Sequence, residues 1–140
     1  MVAGGRGARA AHPEGREPKQ YRPIRGVRML ERAVRPFAAH PRVGALVVVL
    51  PPEDAAAPPA WLLALAPGRL VVTAGGESRQ DSVAQGLAAL APGPTVVLVH
   101  DAARPFADRA LIDRVIAVAE LGAVAVPAMP LAETVKETDA

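Results

Sequence analysis

Two hydrophobic rhythms alternate along the chain. Residues 45–50 (ALVVVL), 69–73 (RLVVT), 95–100 (TVVLVH) and 123–126 (AVAV) are near-continuous apolar, β-branched runs of strand length. Between them the apolar positions recur every third or fourth residue: Leu30, Val34 and Phe37 within 29–39, Val83, Leu87 and Leu90 within 80–90, and Leu111, Val115 and Val118 within 108–121. Continuous runs predict strands covered on both faces, and the 3.6-residue stripes predict helices with one buried side. Their alternation predicts an α/β domain: a Rossmann-like, open, mostly parallel sheet with helices on both faces. Residues 1–3 would add the stub of a fifth strand.

Proline refines this pattern. Pro36 falls inside the first helical stripe, where it predicts a kink or a boundary. Pro51, Pro52, Pro58 and Pro59 bracket residues 60–65 (AWLLAL), leaving room for a short helix at most. No internal repeat and no linker interrupts the βα pattern, so residues 1–140 read as one domain.

Composition narrows the classes. Of the 140 residues 51% are apolar, enough for a core, and there is no cysteine, which excludes disulfides, thiolate zinc sites and a cysteine nucleophile. A reducing, cytoplasmic setting fits, and neither a spanning segment nor a targeting segment is expected. Charge is divided: residues 1–42 carry ten Lys and Arg against three Asp and Glu, whereas residues 43–140 carry six against eleven. A basic front suggests an anionic partner. With only Tyr21, Phe37, Trp61 and Phe106 as aromatic residues, stacking on nucleic acid is disfavoured and a small phosphorylated ligand is expected.

Ligands of open α/β sheets bind beyond the carboxyl ends of the strands, which selects four segments: 4–19, 74–82, 100–105 and 127–136. The first opens with Gly4, Gly5 and Gly7 beside Arg9, a turn whose backbone N–H groups suit a phosphate, and continues to Lys19 behind Pro18. An ordinary basic terminus is the plainer reading. In the second, Ser78 and Asp81 predict a helix cap, which aims the positive end of a helix into the crevice. In the third an apolar strand ends in His100, Asp101 and Arg104. Asp101 is suited either to a Mg²⁺ ion on a triphosphate or to a plain pairing with Arg104, and His100 reads as a core or supporting residue. His12, His40 and His100 have no metal-ligand spacing.

Taken in order, AGGRGAR at 3–9, PKQY at 18–21, GGESRQDSV at 75–83, VHDAARPF at 99–106 and AETVK at 132–136 resemble the 2-C-methyl-D-erythritol 4-phosphate cytidylyltransferase family over essentially the whole chain. The resemblance implies a nucleotidyl transfer that joins CTP to 2-C-methyl-D-erythritol 4-phosphate and releases pyrophosphate. It assigns Arg9 and Lys19 to stabilising the transition state, and Ala3, Gly4, Gly5, Gly7, Gly76, Glu77, Ser82 and Ala102 to the nucleotide. It assigns Arg104 and Thr134 to the second substrate, Asp101 to Mg²⁺, and a homodimer to the full-length form, with no nucleic acid or membrane partner. A ribitol 5-phosphate cytidylyltransferase would share the CTP features, and a non-catalytic nucleotide-binding fragment is the alternative from another class. Two departures stand out: Met1 lies only three residues ahead of Gly4, where the family pattern has a complete apolar strand, and Glu133 replaces the usual aspartate. The family's carboxyl-terminal arm would follow Ala140.

Overall fold

The computed structural model describes residues 1–4 and 18–130. Lys19–Tyr21 form a 3-10 turn, followed by a small hairpin of β1 (Pro23–Ile24) and β2 (Val27–Arg28). Arg25 and Gly26 both take positive φ, 48° and 77°, the conformation a two-residue hairpin turn requires. Arg32 holds the turn from below, its Nε donating to the Ile24 carbonyl at 2.8 Å. Helix α1 (Met29–Ala38) follows directly and runs through Pro36, which lies in its last turn and so forfeits one hydrogen bond without breaking the helix.

The central sheet pairs β3 (Leu46–Leu50) with β4 (Leu70–Ala74) in parallel, Leu46 opposite Leu70 and Leu50 opposite Ala74. Between them lie α2 (Pro52–Ala56) and α3 (Ala60–Leu63). Helices α4 (Arg79–Ala88) and α5 (Arg109–Glu120) complete the regular elements. Residues 1–3 do form the expected stub, bridging β3 through Val2 and Val49 and bridging the 100–102 segment through Val2 and Asp101, both in parallel. The Val2 N–H donates to the His100 carbonyl at 2.8 Å and the Ala102 N–H to the Val2 carbonyl at 2.9 Å. Across the stub, the Ala3 N–H meets the Val49 carbonyl at 2.9 Å and the Val49 N–H meets the Met1 carbonyl at 2.9 Å.

β3 is buried along its whole length, as its unbroken apolar run predicts. Leu46, Val48 and Leu50 enter one core with Leu30, Val34 and Phe37 of α1, Ile112 and Ile116 of α5, and Leu62 and Ala66. Val49 points the other way, against Gly86 of α4. Helices therefore cover both faces, α1 and α5 on one and α4 on the other, and the open α/β expectation holds.

Two strand expectations fail. Residues 95–100 form no regular strand, because the stub reaches only the end of that run, and residues 123–126 pair with nothing among the described residues, leaving Val124 and Val126 exposed. The stripe of α5 is also displaced: Ile112 and Ile116 are buried, whereas Val118 is exposed.

Candidate functional site

Gly4, the loop after β4 and the 100–104 turn meet near the carboxyl ends of the stub, β3 and β4. After β4 the chain passes through Gly75 and Gly76 into the capping box that starts α4. There the Asp81 N–H donates to Ser78 Oγ at 3.1 Å, and the Ser78 N–H donates to Asp81 Oδ2 at 3.0 Å. The Ser78 hydroxyl, donating to Asp81 Oδ2 at 2.7 Å, and then the Ser78 N–H hold the Asp81 carboxyl below its usual range. The cap is therefore real, and it fixes where the helix N-terminus points.

Small residues set the spacing. A Cβ on Gly4 would stand 3.3 Å from Ser82 Oγ and 3.6 Å from Gly75 Cα, and one on Gly75 would stand 2.8 Å from the same oxygen. A Cβ on Gly76 would collide with Asp81 Cβ at 2.3 Å. Gly4, Gly75 and Ser82 thus form one close cluster, with Ser82 and Ala3 buried and Gly76 and Glu77 exposed at its rim.

Asp101 lies beside this cluster, where its segment bridges the stub. Its nearest cation is Arg79, whose Nε and Nη2 lie 3.1 and 3.0 Å from Oδ1, while Arg104 Nε is farther, 3.8 Å from Oδ2. Ala102 is buried next to it and Arg104 is exposed. His100 Nε2 bonds the Arg104 carbonyl at 2.9 Å while its ring packs 4.9 Å from that of Phe37. Burial lowers its pKa, keeping the imidazole neutral, which suits a residue that shapes the 100–104 turn.

The structure brings together Ala3, Gly4, Gly76, Ser82, Asp101 and Ala102. Lys19 is exposed on its 3-10 turn, and among the described residues no hydrogen bond or ion pair ties it to the cluster. Gly5, Gly7, Arg9 and Thr134 lie outside the described residues. Arg79 is the site residue that sequence reasoning passed over, since within SRQDSV it reads only as a capped helix start. Its link to Asp101 needs the sheet order that places the two loops side by side.

No group of three or more His, Cys, Asp or Glu side chains gathers for a metal among the described residues, and no helix there is long and apolar enough to cross a membrane.

Comparison with known proteins completes the description. The family model described as 2-C-methyl-D-erythritol 4-phosphate cytidylyltransferase, IspD, matches residues 1–140. A protein of that description from Streptomyces avermitilis is 48% identical over 143 residues, an alignment covering 99% of this chain and 56% of the relative. A bifunctional enzyme IspD/IspF from Rhodopseudomonas palustris strain BisA53 is 43% identical over 99% of this chain and 34% of its own. The chain thus spans between about a third and just over half the length of these relatives. The solved structure of 4-diphosphocytidyl-2C-methyl-D-erythritol synthase from Anaerococcus prevotii superposes with a TM-score of 0.66 at 26% identity, covering 83% of this chain and 47% of that one.

Proposed function

Because the chain belongs to the 2-C-methyl-D-erythritol 4-phosphate cytidylyltransferase family, we propose that it forms the CTP-binding part of an enzyme making 4-diphosphocytidyl-2-C-methyl-D-erythritol and pyrophosphate in non-mevalonate isoprenoid biosynthesis. The observation that carries this reading is the meeting of the Gly4, Gly75 and Ser82 cluster with the Asp101 carboxylate at the carboxyl end of the sheet. The cluster is narrow, which suits a flat pyrimidine lying against backbone, with Gly76, Glu77 and Ser82 at its edge.

In this reading a phosphate oxygen of the second substrate attacks the α-phosphorus of CTP in line, and the bond to the bridging oxygen breaks as pyrophosphate leaves. Nothing in that exchange demands a proton-transfer side chain; it demands alignment and compensation of negative charge. Arg9 and Lys19 are assigned the charge on the phosphates, Arg104 and Thr134 the second substrate, and Gly4, Gly5 and Gly7 the backbone donors.

Asp101 fits a divalent cation: it is a hard carboxylate, partly exposed, already holding two guanidinium groups, and a Mg²⁺ ion needs only one or two protein carboxylates when phosphates fill its other positions. Bound there, Mg²⁺ would neutralise phosphate charge. The family further suggests a homodimer in the longer form, and the absence of cysteine suits a cytoplasmic enzyme.

Calorimetric titration with CTP and then ATP, both with Mg²⁺, tests the reading. CTP heat without ATP heat is expected; equal heats, or none with either, would contradict a cytidine site in this chain.

A further inference from the structure

The prolines that bracket AWLLAL set off an insertion, residues 51–65, that the nucleotide cluster does not use. It starts from the floor of that cluster: Pro51 follows Leu50, whose carbonyl accepts the Gly75 N–H at 2.8 Å. Pro51 stands at the N-cap of α2 and Pro59 at the N-cap of α3, with φ of −53° and −60°, the range the proline ring imposes, so both short helices start from stiff points. Leu62, fully buried, fastens α3 to the core. From this base the insertion presents Asp54 and Trp61.

What those two residues hold is the turn that carries Lys19. A 3-10 turn has about three residues per turn, so Lys19, Gln20 and Tyr21 leave the backbone in different directions. Lys19 is exposed, and Gln20 is buried with no hydrogen-bond partner for its Nε2 among the described residues, so that amide adds no anchor. Tyr21 supplies one. Its hydroxyl donates to Asp54 Oδ2 at 2.7 Å, and its ring meets that of Trp61 edge-on, the centroids 6.3 Å apart at 86°. Burial, and then the bond to Asp54, raise the phenol pKa, so Tyr21 stays protonated and keeps donating. Trp61 also takes the Arg28 guanidinium, 4.9 Å from its ring centroid, and thus meets the chain on both sides of the β1–β2 hairpin. The turn's own backbone bonds, from the Tyr21 N–H to the Pro18 carbonyl at 2.9 Å and from the Arg22 N–H to the Lys19 carbonyl at 3.2 Å, are too few to fix it alone.

Resting on the reading above that Lys19 answers the triphosphate charge, we propose that Tyr21 is a positioning residue for Lys19. Clasped by Asp54 and Trp61, it ties the turn that bears Lys19 to the stretch of backbone that holds Gly75, so the ammonium and the cytidine cluster keep one separation. A lysine on a loose turn would meet a phosphate only part of the time, and a misplacement of about 1 Å is costly in such a site. The hydroxyl is what phenylalanine would lack: the ring packs, while a short bond to a carboxylate fixes the direction in which the turn is held. The proline-bracketed insertion thereby serves the phosphate without touching it.

Lys19 and Lys136 are the only lysines in the chain, so ¹⁵N-lysine labelling gives two amide signals, and Lys19→Ala identifies which is Lys19. Tyr21→Phe keeps the ring and loses the bond to Asp54; it should move the Lys19 signal. Affinities for CTP with Mg²⁺ and for cytidine, which has no phosphate, then separate positioning from folding. Lys19→Ala is expected to weaken CTP binding about tenfold and Tyr21→Phe about threefold or more, with cytidine binding unaltered in both. Tyr21→Phe should cost nothing further once Lys19→Ala is present. Asp54→Asn, whose amide oxygen still accepts the hydroxyl, should stay close to the unaltered chain in both affinities. A Tyr21→Phe loss equal for CTP and cytidine, a loss that persists beside Lys19→Ala, or an unmoved Lys19 signal would overturn the proposal. If Lys19→Ala leaves CTP affinity unchanged, the role read for Lys19 fails and the proposal with it; if Lys19→Ala weakens CTP binding and Tyr21→Phe does not, the proposal alone fails.

Discussion

Arg79 and Asp101, on different loops of the sheet's carboxyl end, are joined by a guanidinium whose Nε and Nη2 both lie within 3.1 Å of one carboxylate oxygen. Any cation that binds Asp101 must compete with Arg79. Since the arginine is well exposed, the competition is modest, and Arg79→Gln should tighten Mn²⁺ binding in the absence of nucleotide about two- to fivefold. Paramagnetic resonance titration of free Mn²⁺ reads this directly, with Asp101→Asn as the variant that should lose the site.

Gly75 is held by sterics, not by its φ. An Ala there places its Cβ 2.8 Å from Ser82 Oγ and 3.3 Å from Val49 Cγ1, so the buried Ser82 side chain, the loop or α4 must shift. Gly75→Ala should cost about 1–3 kcal/mol, measured by urea unfolding. Gly44 has nothing within 4 Å of its position and makes the control, with Gly44→Ala expected to be neutral or slightly stabilising.

The imidazole of His40 is fully buried, with Nδ1 accepting the Arg42 N–H at 3.2 Å and Nε2 facing Asp113 Oδ1 at 3.0 Å. The accepting Nδ1 fixes the tautomer, so Nε2–H donates. Asp113→Ala should cost about 1–3 kcal/mol by stranding that donor, whereas Asp113→Asn keeps an acceptor and should cost less than half as much. Denaturation of the two variants side by side decides it.

Burial lowers the Met1 amino pKa from 8.0 to about 6, with Asp101 partly opposing the shift. The folded state thus sheds a proton that the unfolded chain still holds between those values. Its contribution favours folding fully above pH 8, declines as the pH falls towards 6, and is then constant, a loss on the order of 2 kcal/mol. Unfolding free energies below pH 6 and above pH 8 should show this difference, and Nα-acetylation should remove it.

The parts of the fold legible in the sequence are those fixed by local pattern. The unbroken run of β3, the Leu30, Val34 and Phe37 stripe of α1, and the Ser78 cap with its helix all appear where periodicity and capping chemistry put them. Residues 95–100 and 123–126 carry the same strand signal yet, among the described residues, pair irregularly or not at all, because pairing depends on a neighbour and not on the run itself. The site divides in the same way. Gly4, Ser82 and Asp101 are marked by their motifs, while the Arg79 link between loops 22 residues apart is a product of sheet order.

The stub sets an order of events. Val2 is clasped between Val49 and Asp101, so the stub bonds to partners that lie roughly fifty and one hundred residues further along the chain. Their docking is the most non-local closure described in the chain, and loops of that length close late. During synthesis this segment must therefore wait, unpaired, while α1, β3 and β4 assemble around the place it will take. A segment made early is among the last to be folded.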